Sequence, residues 1–388
     1  MSTEAGIAMP RWRILASAMV SFFAVGMTFF AVPPLVGTLR EAFALSNAAV
    51  GLLMGAIAVP AVFLSLPLGA ALDRWPPRAA GLVGLGLMLA GAVRFATAPS
   101  FIGLLSGRLV FGVGGLVMNL LLARLISAAF GGRELALAMG LFTAVYPASM
   151  IVMFSLHPWL IASMGWRGEM GVLAAIVVLA MPLHAVAFPR RVPWETGGPA
   201  KGRDAALSRP LFALGVAWML YWVCFGAVAT FVPEWAGAGA RGLLLASVIT
   251  WVAMVGTPIA GHLIDRTGHP KRWCAAGSAA LAAILAAMAM GTLPTAVAML
   301  ALGAVCAVAP PAFYSLPARL VAPDRIGFAF GFITSLSNLG ALVGPALAGA
   351  IRDATPRWAW LWGVLAAVAL GGAAAALLVR PRGDVARP

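Results

Sequence analysis

Arg108 stands inside the apolar stretch "SGRLVFGVGGLVMNLL". On a helix, Gly112, Gly115 and Asn119 fall within roughly 40° of it. One face then carries a cation, two residues that leave space, and an amide. A cation at membrane depth can attract an anion or take part in coupling. The same guanidinium can instead snorkel outward or cap carbonyls of a neighbouring helix, and the sequence leaves both readings open. In "WMLYWVCF" the helical spacing puts Trp218, Tyr221, Trp222 and Phe225 on one side. That stripe either packs and faces lipid, or forms an aromatic wall that stacks on or gates a solute. Tyr146 and Tyr314 are the other tyrosines, and each hydroxyl needs a partner in an apolar interior. Ser17, Ser21 and Thr28 share one helix face, and Thr334 and Asn338 share another. Such residues line a cavity or join helices. The candidate substrate site is therefore Arg108, Asn119, Tyr146, Trp218, Tyr221, Trp222, Tyr314 and Asn338.

Other chemistry is absent from the pattern. No nucleophile–base pair and no metal-ligand spacing occurs, so the chain reads as neither an enzyme nor a metalloprotein, and no cofactor is expected. Cys224, Cys274 and Cys306 lie in or beside apolar segments and read as free thiols. Span interiors read as lacking Asp, Glu and Lys, with Glu234 and Asp353 at helix ends. His157, His184 and His262 read as structural. Without a mid-depth carboxylate to hold a cation, the balance favours a neutral or anionic solute. A coupling proton would travel with the anion or use a histidine.

The elements that must position these residues follow from composition. Of 388 residues, 62% are hydrophobic and 10% are charged, and mean hydropathy is +0.98. A soluble domain carries roughly 25% charged residues. Apolar runs of about 20 residues, long enough to span a bilayer as helices, recur throughout. Twelve segments result, near 14–37, 48–72, 79–98, 101–127, 135–161, 168–188, 210–235, 242–264, 273–292, 295–318, 327–351 and 358–379. The polar stretch 190–209 links an N-terminal six-helix bundle (1–189) to a C-terminal one (210–388). If the N-terminus lies on side one, that side holds 19 of the 26 basic residues. Side two holds Arg40, Arg94, Arg167, Arg241, Arg352 and Arg357. This asymmetry marks side one as cytoplasmic and predicts a multi-pass protein of the cytoplasmic (inner) membrane with both termini inside. The net charge of +14 comes from residues scattered between spans, which argues against nucleic acid. The first segment follows Arg11 and Arg13 and lacks a small-residue cleavage site, so it reads as a retained helix. The expected partners are the lipid bilayer and a small solute, with the chain a monomer.

The chain also repeats itself. "GAALDRWPPR" (69–78) follows span two, and "GHLIDRTGHPKR" (261–272) follows span eight. "ARLI" at 123–126 and "ARLV" at 318–321 end spans four and ten. "GLFT" at 140–143 and "GFIT" at 331–334 open spans five and eleven. With these residues the chain resembles the major facilitator superfamily, whose loop between spans two and three reads G-x-L-a-D-r-x-G-r-r. Gly261, Leu263, Asp265, Arg266, Gly268, Lys271 and Arg272 match it. The first copy matches at Gly69, Asp73, Arg74 and Arg78, but has Pro76-Pro77 in place of the turn glycine.

The resemblance implies an all-α polytopic membrane protein of twelve transmembrane helices, arranged as two pseudo-symmetric six-helix bundles. It also implies transport. The Asp-Arg turns then read as a conformational latch on side one: Gly69, Asp73, Arg74, Arg78 and Arg124 in one copy, Gly261, Asp265, Arg266, Lys271, Arg272 and Arg319 in the other. Arg124 and Arg319 are the expected ion-pair partners of Asp73 and Asp265. Arg108–Gly112 matches the family's Arg-x-x-x-Gly pattern in span four. The G-x-x-x-G-P pattern of the family's drug antiporters is missing from span five and appears at Gly340–Gly344–Pro345 in span eleven. The reading is a secondary transporter of a small anion or organic acid, loosely like the cyanate- and nitrate-type branches, working by rocker-switch alternating access. The alternatives are an exporter of hydrophobic compounds and a non-transporting sensor on the same fold.

Overall fold

The computed structural model describes residues 11–72, 74–130, 134–188, 208–237, 239–321 and 326–379. Asp73 of the first Asp-Arg turn lies outside the described residues, as does the 190–207 part of the linker. Every regular element among the described residues is helical. The order is α1 (Arg11–Phe29), α2 (Val32–Phe43), α3 (Asn47–Gly55), a 3₁₀ turn (Ala56–Ala58), α4 (Val59–Leu72), α5 (Pro77–Ala96), α6 (Phe101–Ala129) and α7 (Glu134–Ala187). There follow α8 (Arg209–Ala236), α9 (Gly239–Thr267), α10 (Pro270–Ala289), α11 (Thr295–Tyr314), α12 (Pro317–Leu320), α13 (Ile326–Ala354) and α14 (Trp358–Leu378). Eleven of the described segments are long and apolar enough to cross a membrane.

One of the eleven, Leu141–Ala187, is two spans. Gly165 interrupts α7 with φ +67° and ψ 175°, a conformation open to glycine and costly for other residues. His157 and Glu169 prove the reversal. Their side chains meet at 2.9 Å, whereas an unbroken helix would hold residues twelve apart about 18 Å from each other. The turn falls in the gap expected between spans five and six, so among the described residues the segments of membrane-spanning length number twelve.

The chain forms two compact units. Unit one holds residues 1–38 and 59–196. In it α1 packs on α7 and α6, and α5 on α6 and α7. Unit two holds residues 39–58 and 197–388, with α13 on α8, α11 on α9, and α10 on α14. The first half of span two, α3, belongs to unit two because it packs along α13.

That packing has a sequence basis. Gly51 and Gly55, one turn apart, sit against the carbonyls of Pro345 and Leu342, and Gly349 sits against the carbonyl of Asn47. Small residues let two backbones approach, which is how helices associate where lipid removes the hydrophobic drive. A carboxylate then ties the seam. Asp353 accepts from the Asn47 N–H (2.7 Å), the Ala48 N–H (2.8 Å) and Asn47 Nδ2 (2.9 Å). It thereby satisfies donors that the first turn of α3 leaves unpaired. Arg40 donates to Asn47 Oδ1 at 2.8 Å and pairs with Glu234 at 3.5 Å.

A side chain at Gly51 would collide with the Pro345 carbonyl, which is backbone and cannot move aside. Gly51→Val is expected to cost about 1–3 kcal/mol by overpacking, read as a lower melting temperature of the detergent-purified protein. Gly37→Val, where an added Cβ meets nothing within 4 Å, is expected to leave the melt unchanged. Equal melts for the two variants would refute the seam.

Candidate functional site

The position of Arg108 follows from a proline pair elsewhere. "AVPPL" places Pro33 four residues after Phe29. Proline has no N–H, so it cannot close the helical bond to the Phe29 carbonyl. Helix α1 stops there and α2 resumes at Val32. Arg108, 2% exposed on α6, donates to the Thr28 carbonyl at 2.7 Å and to the Phe29 carbonyl at 3.4 Å. Of its two readings, the carbonyl cap is what the guanidinium does here. The cap does not remove the charge, because both acceptors are neutral. Tyr146 is its electrostatic neighbour. Thr28, Ala31, Gly91, Phe95, Gly107 and Met170 are among the residues lining a small cavity beside it.

Tyr146 sits in an aromatic group of unit one. Its ring centroid lies 5.0 Å from Phe30, 5.6 Å from Phe29 and 5.8 Å from Phe22. Arg108 and Tyr146 thus come together where α1 breaks. Asn119 shares their helix face but stands eleven residues along α6, about 16 Å away by helical rise, and is exposed. Ser17 Oγ, Ser21 Oγ and Thr28 Oγ1 are buried on α1 without a hydrogen-bond partner.

Unit two gathers the other aromatic candidates. Trp218 is 1% exposed and stacks on Tyr221 at 5.0 Å with planes 5° apart. Trp222 meets Trp218 edge-on at 5.9 Å, and Tyr314 does so at 5.5 Å. Phe313 lies 4.6 Å from Trp218. The i, i+3, i+4 spacing of α8 therefore packs against α11. The Trp218 and Trp222 Nε1 atoms make no hydrogen bond of good geometry; the Tyr314 hydroxyl is the polar group beside Trp218. Tyr314 is 45% exposed. Asn338 is not part of this group: it is half-buried on α13 and donates to the Thr334 carbonyl of its own helix at 2.9 Å. The span-eleven pattern also has a packing task, since Gly340 and Gly344 sit against the Met219 and Val223 carbonyls of α8.

The Asp-Arg turns differ from expectation in one contact. Asp265 is exposed and forms no ion pair among the described residues. Arg319 donates to the Gly268 carbonyl at 3.1 Å, capping the end of span eight where the chain turns at φ +67°. The expected Arg319–Asp265 pair is thus replaced by a carbonyl cap. Arg124 reaches the Gly69 carbonyl at 3.5 Å. Arg74, Arg266 and Arg272 are exposed, and Arg78, Lys271 and Gly261 are half-buried. The Pro76-Pro77 departure now has a cause. Pro77 is the first residue of α5 and Pro270 the first of α10, a position for which proline is pre-organised. From the motif aspartate to the proline that opens the next helix, the second copy is one residue longer (265–270 against 73–77), and it contains the left-handed Gly268.

One expectation is corrected outright. Span six does contain an acid: Glu169 is 0% exposed, and His157, 5% exposed, bonds to both its carboxylate oxygens at 2.9 and 3.0 Å. The signal was an acid at the start of an apolar run, just past a glycine break, with a histidine in the preceding span. Asp353 was likewise seen only as an end residue, because its partner lies 306 positions away.

Comparison with known proteins bears on this arrangement. The Major Facilitator Superfamily profile matches residues 17–243 and 237–388. The lysosomal dipeptide transporter MFSD1 of Bos taurus is 27% identical over 64% of this chain. The alignment spans 58% of that relative's length, less than two thirds. Monocarboxylate transporter 11 of Homo sapiens is 27% identical over 78% of this chain and 69% of its own length. A crystal structure of a bacterial homolog of the human lysosomal transporter Spinster superposes with a TM-score of 0.76, at 15% identity, over 95% of this chain and 94% of that one. The family match takes in nearly all of a twelve-span helical chain, and the chain belongs to the Major Facilitator Superfamily.

Proposed function

We propose that the chain is a secondary transporter of a small anion or organic acid, working by alternating access in the cytoplasmic membrane with side one facing the cytoplasm. The observation that carries the solute class is Arg108. It is a buried cation at membrane depth, held by neutral carbonyls and facing Tyr146. A fixed charge in that setting attracts a carboxylate far more strongly than it would in water. Unpartnered hydroxyls on the neighbouring α1 add short-range donors. The relatives named as monocarboxylate and dipeptide transporters carry solutes that bear carboxylates, which supports the same class. The aromatic group around Trp218 favours a second reading, export of weakly polar compounds that stack on a ring.

The two ends of the chain suggest a conformational cycle. On side two, α3 is docked on α13 by the glycine seam and Asp353. On side one, Arg319 is turned away from Asp265. In this reading the seam is the contact that parts when side two opens, and the Asp265–Arg319 pair is the one that then forms. The two six-helix bundles, 1–189 and 210–388, are the bodies proposed to rock.

Reconstituted in liposomes and offered a panel of labelled acids and neutral solutes, the protein is expected to favour acids. Arg108→Gln keeps a side-chain N–H donor but removes the charge. It is expected to lower uptake of acids about tenfold or more, the equivalent of about 1.4 kcal/mol. Arg108→Lys is expected to fall between, because an ammonium lacks the planar fork that spans two carbonyls. Unchanged uptake in Arg108→Gln would sink the anion site. A neutral-solute preference abolished by Trp218→Ala would favour the second reading. For the cycle, Asp353→Ala in a cysteine-free background is expected to raise thiol labelling of a cysteine at Asn338 from side two. Labelling that stays the same would reject the seam as a gate.

A further inference from the structure

We propose that His157 and Glu169 form a proton-binding site, reached from side two, whose occupancy gates the sealing of that side. The pair is a buried histidine–carboxylate contact, 5% and 0% exposed. It bridges the two limbs of α7, residues 134–164 and 166–187, across Gly165. That glycine joins the limbs through a single left-handed residue, so the chain can flex there without breaking either helix.

The environment leaves the charge of the pair to the pair itself. Among the described residues, α1, α5 and α6 pack most closely on α7. The charged residues of α1 are Arg11 and Arg13, at its side-one end. From α5 come Arg78 at the side-one end and Arg94, which is exposed at side two. From α6 come Arg124 at side one and Arg108, which is engaged with α1 carbonyls. On α7 itself, Arg167 donates to the Ala98 carbonyl at 3.3 Å and lies 4.2 Å over the Trp166 ring. Tyr146 faces Arg108, and Glu134 and His184 lie at the side-one ends of the limbs.

The step is a single proton transfer. In the unloaded form, neutral imidazole donates its Nδ1–H to the carboxylate and the pair carries −1. One proton from the side-two solution adds to the pair, giving imidazolium–carboxylate or imidazole–carboxylic acid, with net charge zero. A net charge is costly at this burial and a neutral pair much less so. The sealed arrangement therefore holds the loaded pair. The unloaded pair requires water, and water reaches it only when the limbs part at Gly165 and side two opens. Acid on side two then promotes sealing, and alkali holds that side open.

The inference rests on the transport reading for its kinetic test but not for its spectroscopic one. Infrared difference spectra of the purified full chain between acidic and alkaline buffer are expected to show carboxyl and imidazole bands that titrate together. These bands should be lost in Glu169→Gln and altered in His157→Asn, two variants that keep a hydrogen bond across the kink. If no such bands titrate, the proton site is wrong, whether or not any solute is carried. In liposomes, acidifying side two is expected to speed uptake several-fold in wild type. Glu169→Gln, a mimic of the loaded acid, should show the fast rate at every pH. Variants that scale uptake by the same factor at all pH values would make the pair a fixed strut and overturn the gate. Titrating bands with a flat wild-type pH profile would overturn it too.

Discussion

In hydrocarbon, a backbone N–H or C=O that lacks a partner costs several kcal/mol, and this constraint explains where several of the chain's charges stand. A break in a helix exposes backbone groups, and at several breaks a charged side chain answers them. Pro33 frees the Phe29 carbonyl, and Arg108 caps it. The first turn of α3 bares two N–H groups, and Asp353 accepts from both. Arg319 caps Gly268, and Arg167 caps Ala98. Arg352 donates to the Pro356 carbonyl at 2.6 Å while lying 3.7 Å over the Trp358 ring. Several arginines that stand on side two against the charge bias therefore have local reasons to be there. Arg40, Arg167 and Arg352 hold helix ends on the side where topology alone would not place them.

The same constraint decides how much was legible in the sequence. Span number and type were, since twenty apolar residues leave a membrane chain little choice but helix. The reversal between spans five and six was legible from the 161–168 gap, and Gly165 fills it. The stripe from Trp218 to Trp222 was legible as one face of a helix, because 3.6-residue periodicity carries directly into space. Contacts between distant segments were not. Asp353 and Asn47 stand 306 residues apart, and no local pattern links an acid at the end of one span to the start of another. Glu169 was hidden by a different assumption, that acids at the margin of an apolar run face water. The fold-back at Gly165 brings His157 over it and removes it from solvent. The Arg319–Asp265 pair failed for a further reason. Charge complementarity in sequence names possible partners, but Arg319 also had a bare carbonyl within reach, and a cation takes the acceptor that one conformation presents.

A residue that caps carbonyls is usually counted as structural, and Arg108 shows why that division is too coarse in a membrane. A guanidinium has five N–H donors in a rigid fork, and two carbonyls do not neutralise it. They orient it. Because its position is set by the broken end of α1, any movement of α1 relative to α6 moves the charge, or strips the carbonyls that hold it. The Phe22 and Phe29 side chains of α1 and Phe30 just after it surround Tyr146, so the aromatic contacts and the cation would shift as one. An anion bound at Arg108 would therefore stabilise one placement of α1 over another. That differential interaction is what a ligand needs in order to shift a conformational equilibrium. A proline pair in span one, where α1 breaks off, would thus let a structural arginine report solute binding to the helices proposed to move.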